Sequence, residues 1–512
     1  MEKNPIKIVE IGSQGNILGG VERDSISAIR NTYTSEIVVA ICGPIGTQTH
    51  VVAERITHIF SGSLGYKTDH IKLSDYIRQY GARGNDCSIA ELITLGNNMR
   101  EKDKAILAKK AIHKINSNRH SNAENITGHD SGAIIPEPVV KHCHVIDSIK
   151  NIDELQILRL VYGDMLHLIS IYDSIERRVH AISKRDSITE AGVYGLIDKD
   201  SGEEIGHGQS VRKIYPQADL FISLNEGTIS QVDSQIKRYF QLVLGMSLES
   251  PTENERAMFY AFSASGNSAC LSRQVGAAIT DKEGSLLAVG WNDVPKSFGG
   301  VYTQTGVDDK RCYNLTNAMC YNDENKSSVA SVIINELIKS EIIEQSKKDE
   351  AINIVKRSPR FKDLIEFSRA VHAEMYALIS AGKLNGSKIP EGAMHVTTYP
   401  CHHCAKHIIA AGIRKIYFIE PYQKSLATKL HSDSIVEGND EKRVSILPFV
   451  GIAPRRFNKL FSTVLNGQTR KKDGKLHLSP DGVLPSAISL EALGTLEKLA
   501  FKSLLDDSEN GG

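Results

Sequence analysis

The sequence predicts an α/β protein with two sheet domains, the first built on a parallel sheet and the second a three-layer α/β/α unit. Short apolar runs rich in Val and Ile alternate with segments of helical period through the first half, a pattern typical of a sheet with helices on both faces. A glycine-containing loop follows the first of these runs. In the second half, His, Glu and Cys residues lie where predicted strands and helices meet.

Length and composition narrow the class of protein. The chain has 512 residues, enough for more than one hydrophobic core. Its 61 basic and 61 acidic residues balance, which argues against a nucleic-acid backbone as the main partner, although a local basic patch stays open. No apolar run reaches the length of a membrane span and no signal-peptide core follows the first residues, so we expect a cytoplasmic protein.

Patterns along the chain predict four parts. They are a polar flexible arm at 1–34, a first domain at 35–248, a second domain at 249–465, and a linker with a final helix at 466–512. Thr252 and Glu255 form a capping-box pattern that opens the second domain. In the last part, apolar residues at helical spacing predict a helix that packs on a partner or a neighbouring subunit.

The loop after the first predicted strand reads Gly43-Pro44-Ile45-Gly46-Thr47-Gln48-Thr49-His50. Strand, glycine loop and helix together place backbone N–H groups where they cradle phosphates, so we expect Gly43, Gly46 and Thr47 to bind a nucleotide. A working P-loop ends in G-K-[ST], and the lysine is missing here. We therefore predict phosphate binding without phosphoryl transfer; a strand-to-helix turn with no ligand is the alternative.

A later predicted strand ends at Asp147. In a P-loop protein an acid at that edge of the sheet holds magnesium. A helix cap or a solvated loop residue is the competing interpretation of this side chain.

The second half contains His372-Ala373-Glu374 and, later, Pro400-Cys401-His402-His403-Cys404. One imidazole and two thiolates are suitable ligands for a zinc ion that keeps an open position for water. Glu374 is then free to shuttle protons between that water and a leaving amine. The H-x-E and P-C-x-x-C pattern is the signature of zinc nucleobase deaminases. It predicts zinc ligands at His372, Cys401 and Cys404, and a catalytic Glu374.

The competing interpretation of this motif is a structural zinc site or a chance pattern. Structural sites close with a fourth Cys or His, and His402, His403 or His407 would have to supply that ligand. Such a site leaves Glu374 and Pro400 without a role.

Two further segments of the second half carry candidate residues. Asn292 ends a predicted strand, where its amide would bind a sugar hydroxyl or a base edge, or would simply form a turn. The stretch from Pro295 to Lys326 lacks periodicity and is a candidate lid over the site. It contains Cys312 and Cys320, whose spacing fits no usual zinc motif, so a second metal there is left open.

From Glu253 to about Ser462 the chain resembles the deoxycytidylate deaminases. The resemblance rests on the segments Arg273–Ile279, Gly290–Asn292, His372–Glu374 and Tyr399–Lys406. Two more segments, Glu420–Ser425 and Pro448–Arg456, together with the degenerate P-loop half, resemble the two-domain bacterial anti-phage deoxycytidine nucleotide deaminases. This implies a P-loop-kinase-like first domain and a cytidine deaminase second domain.

The resemblance also implies function. Such enzymes convert dCTP and dCMP to dUTP and dUMP with Zn²⁺ as cofactor, deplete the deoxycytidine pool during phage infection, assemble into homo-oligomers and are held inactive by a small RNA antitoxin. Arg273 would then bind substrate phosphates, as would a basic cluster formed by Lys424, Arg455 and Arg456, since guanidinium forks suit phosphate. Solvated surface charge is the alternative for each of these basic residues.

Three other functions remain open at this point. A housekeeping dCMP deaminase would share the site and leave the first domain unexplained. A deaminase of RNA or single-stranded DNA would need a basic, aromatic-lined channel, which the neutral charge and low aromatic content disfavour. A nucleotide-sensing or RNA-binding protein that had lost activity would not need the complete His, Glu and Cys set.

Overall fold

The computed structural model describes most of the chain. The described residues are 33–81, 87–124, 141–200, 210–225, 227–304, 309–315, 318–358, 361, 364–421, 425–462, 464–465, 468–469, 471–478 and 489–509. The predicted arm at 1–34 lies almost entirely outside them, and so does Lys424. Within these ranges, every helix is too short or too polar to cross a bilayer.

The first half forms a parallel sheet. Its strands lie in the order β2-β3-β1-β4-β5, so the chain passes to one side of β1 and then to the other. The strands are β1 (Ile37–Cys42), β2 (Lys67–Lys72), β3 (His142–Asp147), β4 (Leu166–Tyr172) and β5 (Leu220–Ser223). In open sheets of this kind, ligands bind beyond the carboxyl ends of the strands where the order reverses, which is where the loop after β1 lies.

Helices cover both faces of this sheet, as the sequence predicts. Alternate residues of β1 point to opposite sides: Val38 joins the core beneath one set of helices, and Val39 joins the core beneath another. The helices are α1 (Thr49–Ser63), α2 (Leu73–Tyr80), α3 (Ile89–Lys102), α4 (Ile106–Glu124), α5 (Ile152–Tyr162), α6 (Ile175–Asp186), α7 (Glu190–Asp200), α8 (Val211–Ile214) and α9 (Ile229–Val243).

The second half contains a mixed sheet in the order β10-β11-β9-β8-β6-β7. The strands β8 to β11 run parallel, while β6 is antiparallel to both of its neighbours. They are β6 (Gly276–Thr280), β7 (Leu286–Trp291), β8 (Ala393–Thr398), β9 (Lys415–Glu420), β10 (Ile435–Glu437) and β11 (Val444–Pro448).

The helices of the second half begin after the capping box. They are α10 (Glu253–Ser265), α11 (Tyr321–Lys339), α12 (Lys348–Arg357), α13 (Ala373–Asn385), α14 (His402–Ala410), α15 (Ala427–Leu430), α16 (Pro454–Phe461) and α17 (Leu490–Glu509). The strand β12 (Gly451–Ile452) and two short hairpins, with strands Val464–Leu465, Gln468–Thr469, Lys471–Lys472 and Lys475–Leu476, complete the regular structure.

Two glycines show that this sheet is also covered on both faces. A Cβ on Gly276 would lie 1.9 Å from the carbonyl oxygen of Ala261 in α10, and a Cβ on Gly290 would lie 2.3 Å from the amide nitrogen of Ala377 in α13. Gly276 pairs with Trp291, so Gly276 and Gly290 face opposite sides of the sheet. The prediction of a three-layer α/β/α second domain is confirmed.

The two halves share structure. The strand β12 follows the second sheet in sequence but pairs antiparallel with β5 of the first sheet. After β12, Arg456 of α16 donates a 2.8 Å hydrogen bond to Asp219, which is buried just before β5. The basic pair Arg455 and Arg456 therefore serves this contact between the halves, and its assignment to substrate phosphates is wrong.

The final helix α17 packs on the first half of the same chain, whereas the sequence suggested a partner or a neighbouring subunit. Glu497 is fully buried and accepts hydrogen bonds from Arg119 and Asn116 of α4 and from Tyr162 of α5. The apolar residues that predicted the helix include Leu493 and Phe501, which join the core against these helices. The spacing identified a buried face but carried no information about what covers it.

Candidate active site

The first residues of α13 bring His372 and Glu374 to the site. His372 is the N-cap residue of this helix, and the preceding Val371 donates a 2.9 Å backbone hydrogen bond to Asp293, just after β7. Glu374 lies in the first turn and is only 5% exposed. Because Gly290 has no side chain, α13 lies directly on β7. This close contact sets the distance of His372 and Glu374 from the sheet.

The cysteines come from the junction between β8 and α14. Cys401 is the N-cap residue of α14 and Cys404 lies in its first turn. The segment between the strand and the helix is held by two hydrogen bonds, from the Tyr399 amide to Glu420 and from the Ser425 hydroxyl to Pro400. A helix N-terminus favours the thiolate form that a metal requires.

The three predicted ligand residues converge. The sulfur atoms of Cys401 and Cys404 each lie 3.4 Å from Nδ1 of His372. A tetrahedral zinc with Zn–S bonds of about 2.3 Å and Zn–N bonds of about 2.0 Å separates its sulfur and nitrogen ligands by roughly 3.5 Å. The observed geometry therefore fits a zinc ion, and this group is one of three in the described residues whose donor atoms are close enough to hold a metal.

The hydrogen bonds between the two thiols and the imidazole shift the pKa values of all three groups. A hydrogen bond from Cys404, with a second from His372, holds the pKa of Cys401 well below its usual range despite burial. The hydrogen bond with Cys401 raises the pKa of His372 to about 9 against the effect of burial. The hydrogen bond with Cys401, together with burial, raises the pKa of Cys404 well above its usual range, so a metal that binds here would displace protons from Cys404 and His372.

Glu374 has the properties of a proton-transfer group. Burial, and then the negative charge of Cys401, raise its pKa to about 7. A carboxyl group with such a pKa can both accept and donate a proton near neutral pH. Glu374 is not one of the three residues whose donor atoms converge on the candidate metal position, so its oxygens remain available to a reactant.

These residues line a cavity of about 630 Å³, a volume typical of sites for small molecules. His372, Glu374 and Cys401 form one part of its wall. Arg273 and Asn292, the two predicted substrate-binding residues, form another part.

Asn292 and Arg273 have different environments. The amide of Asn292 accepts a 2.7 Å hydrogen bond from the Val275 backbone and donates a 2.8 Å bond to the Arg273 carbonyl, so it fixes the segment before β6. The guanidinium of Arg273 is partly exposed and lies 2.7 Å from Glu420. The structure thus brings both residues to the cavity, with Asn292 supporting the segment that carries Arg273.

Two basic residues of the cavity wall were missed in the sequence. Arg212 comes from α8 in the first half and lies 3.0 Å from the same Glu420 carboxylate that Arg273 contacts. Lys326 comes from α11, which begins inside the stretch read as a candidate lid. Nothing local in the sequence links Arg212 to the motif, because their contact depends on how the two halves pack.

The glycine loop lies elsewhere, at the carboxyl end of β1. Gly46 adopts a φ of 81°, and the Gly43 carbonyl accepts a hydrogen bond from Lys150. The Thr47 hydroxyl is buried without a hydrogen-bond partner among the described residues. Asp147 lies beside this loop and accepts a 2.7 Å hydrogen bond from Thr49. These residues do not line the cavity at His372.

Comparison with known proteins agrees with the motif. Residues 251–420 match the family model described as the cytidine and deoxycytidylate deaminase zinc-binding region, so zinc is the cofactor. Deoxycytidylate deaminase of enterobacteria phage T2 is 30% identical over 174 residues, which is 32% of this chain and 78% of the relative. The phage T4 deoxycytidylate deaminase is also 30% identical, over 167 residues, covering 32% and 76%.

Other matches are shorter or more distant. ComE operon protein 2 of Bacillus subtilis is 41% identical over 56 residues, 11% of this chain and 29% of that protein. The crystal structure of apo dCMP deaminase from cyanophage S-TIM5 matches 39% of this chain and 100% of its own, at 19% identity and a TM-score of 0.22. From the matched region and the deoxycytidylate deaminases of phages T2 and T4, the chain belongs to the deoxycytidylate deaminase family.

Proposed function

We propose that the protein hydrolyses free deoxycytidine nucleotides, converting dCMP to dUMP and dCTP to dUTP with release of ammonia. One observation carries the proposal: a zinc-type ligand group and a buried carboxyl group with a raised pKa converge on one wall of a cavity of about 630 Å³. Metal-assisted hydrolysis needs these two components within reach of a bound substrate.

In this proposal His372, Cys401 and Cys404 hold the zinc ion. When bound, zinc supplies the Lewis acidity that makes a water molecule nucleophilic near neutral pH. Glu374 removes a proton from the attacking water and delivers it to N3 of cytosine. It then passes the second proton to the departing amine, so the C4–N bond breaks, the water oxygen becomes the C4 carbonyl oxygen and ammonia leaves.

The cations of the cavity wall support nucleotides as substrates. Arg273, Arg212 and Lys326 line it together, and arginine forks bind phosphate oxygens in pairs. The Glu420 carboxylate offsets one of their three positive charges, and the two that remain support dCTP as a substrate beside dCMP. The contacts of Arg212 and Arg273 with Glu420 hold both guanidinium groups at the cavity wall.

We also propose that the first half binds a nucleotide at Gly43, Gly46 and Thr47. The β2-β3-β1-β4-β5 order supports this, as does the buried Thr47 hydroxyl, which lacks a hydrogen-bond partner in the described part of the chain. The missing loop lysine favours sensing over phosphoryl transfer.

The resemblance to two-domain anti-phage enzymes supports depletion of deoxycytidine nucleotides during infection, a homo-oligomer, and inhibition by a small RNA. A housekeeping dCMP deaminase is the alternative, and dependence of activity on the first half would argue against it.

The experiment is an ammonia-release assay on the purified full-length chain with dCMP, dCTP, CTP and single-stranded oligonucleotides. We expect activity on the two free deoxynucleotides, loss with a zinc chelator and recovery when zinc is restored. Glu374→Gln should retain zinc while activity falls by about 10² to 10⁴. Activity only on oligonucleotides, or full activity in Glu374→Gln, would contradict the proposal.

A further inference from the structure

We infer that Asp69, His142 and His144 form a second metal site, at the amino-terminal edge of the first sheet. These residues belong to β2 and β3, whereas the glycine loop is at the opposite, carboxyl edge and His372 is in the second half. The predicted ligand is a divalent cation of intermediate hardness, and Zn²⁺ is the best match. This inference does not depend on the proposed deaminase activity.

The strand register brings the three side chains to one face. Asp69 pairs directly with His144 in the parallel β2–β3 ladder, and His142 is two residues before His144. Side chains alternate between the faces of a sheet, so all three point to the side covered by α4. The backbone thus fixes their relative positions before any ligand binds.

The distances between the donor atoms are those of a ligand set. The rings of His142 and His144 stack with centroids 4.3 Å apart and planes at 15°, so one imidazole has to rotate to direct its nitrogen at a shared ion. Oδ2 of Asp69 lies 3.0 Å from Nε2 of His142 and 3.1 Å from Nδ1 of His144. Nitrogen and oxygen ligands on a tetrahedral zinc, at bond lengths near 2.0 to 2.1 Å, are separated by roughly 3.3 Å. The donor atoms all lie within 4.8 Å of one another, as they do in the His372 group.

Surrounding groups match the environment of a metal-bound histidine. Such a histidine usually directs its second ring nitrogen to a carboxylate or a carbonyl. His144 is 1% exposed, and its Nε2 lies 4.0 Å from the Glu36 carboxylate without a hydrogen-bond partner among the described residues. Asn118 contacts Asp69 at 2.7 Å, so the carboxylate is held in place from α4.

The charges around the cluster favour a dication. Glu36, Asp69 and Glu497 contribute three negative charges, and Arg119, which bonds to both Glu36 and Glu497, contributes one positive charge. The net charge of these four groups is −2, and a bound divalent ion would offset it. Two imidazoles with one carboxylate suit zinc better than magnesium or calcium.

Protonation of both histidines would give the same charge and is the competing explanation. Burial lowers the pKa of His144, but its hydrogen bond with Asp69 and the nearby negative charges of Glu36 and Asp69 raise it overall. The two explanations differ in metal content. The Asp69 side chain is 28% exposed, which leaves a route by which an ion can reach the cluster.

The test is the zinc content of the full-length protein, purified without a polyhistidine tag and dialysed against micromolar zinc and then zinc-free buffer. We expect about two zinc ions per chain. The Asp69→Asn and His144→Gln variants should each lose about one zinc ion. The Cys401→Ser variant should lose the ion of the other site and retain about one. His70→Gln is the matched control, because His70 is on the same strand but faces the other side of the sheet.

Cobalt substitution separates the two sites independently. In the Cys401→Ser variant, any remaining bound Co²⁺ should show visible absorption bands without the near-ultraviolet sulfur charge-transfer band, because the second site has no sulfur ligand. One zinc ion per wild-type chain, or two in Asp69→Asn, would overturn the inference and favour the protonated histidines. One zinc ion per wild-type chain overturns the inference whether or not a variant folds. Two ions are assigned to this cluster by the loss of one in Asp69→Asn or His144→Gln, because Glu366, His402 and His403 form a further candidate group.

Discussion

Replacing Gly290 with alanine should weaken catalysis without removing any functional group. The new Cβ would lie 2.3 Å from the amide nitrogen of Ala377 and 2.4 Å from the carbonyl oxygen of Ala373, whereas ordinary contacts begin near 3.4 Å. Both contacts are backbone atoms of α13, so no side-chain rotation relieves them. The helix must move away from β7 by about 1 Å, the difference between these distances.

That movement carries His372 and Glu374 with it, while Cys401 and Cys404 stay on α14. A misplacement of about 1 Å can lower the rate about 10²-fold. We expect kcat/KM for dCMP to fall by roughly that factor. The affinity for zinc, measured by competition with a chromophoric chelator, should also fall. The assay compares Gly290→Ala with wild type under identical zinc concentrations.

Gly382→Ala is the matched control. Gly382 lies in the same helix, and a Cβ there meets nothing within 4 Å. Alanine at this exposed helical position should leave activity unchanged and raise stability by about 0.5 to 1 kcal/mol. Wild-type kcat/KM in Gly290→Ala would refute the argument that the contact between α13 and β7 sets the geometry of the site.

Three further predictions concern the contacts between the halves. Glu497→Ala should cost about 3 to 5 kcal/mol of unfolding free energy in urea titrations, because Arg119 loses one of its two buried carboxylate partners; a loss below 1 kcal/mol would contradict this. Arg212→Ala should raise KM for dCTP more than for dCMP, whereas the exposed neighbour Lys213→Ala should change neither. Burial raises the pKa of Asp219, but the positive charges of Arg456 and Arg455 have the larger, opposite effect. The net pKa of Asp219 is therefore below its usual range. Its contribution to stability is therefore present above about pH 3.9 and is lost at lower pH. Asp219→Asn should flatten the acid limb of a stability–pH curve, and an unchanged limb would argue against this ion pair.

The sequence predicted the metal ligands because they are encoded locally. His372 and Glu374 share one helix start, and Cys401 and Cys404 share another, so spacing along the chain determines their arrangement. The helix after β8 begins at His402, because Cys401 itself is the N-cap residue.

Residues that meet only through tertiary packing were beyond the sequence patterns. Arg212 reaches the cavity because it lies beside Glu420 at the end of β9, and its position in the first half of the sequence gives no sign of this. Asp69 and His144 become neighbours only through the β2–β3 register. Arg455 and Arg456 show the opposite error, since a basic pair near the motif suggested phosphate binding while its partner was a buried aspartate.

The strand Gly451–Ile452 has a consequence for any attempt to separate the halves. It covers the open edge of β5, and an uncovered edge strand is a template for pairing with other chains. A fragment that ended near residue 248 would expose Leu220 and Phe221 along that edge. We expect such a fragment to aggregate, and soluble preparations of the first half to require the segment around β12 to be supplied as a peptide or a graft.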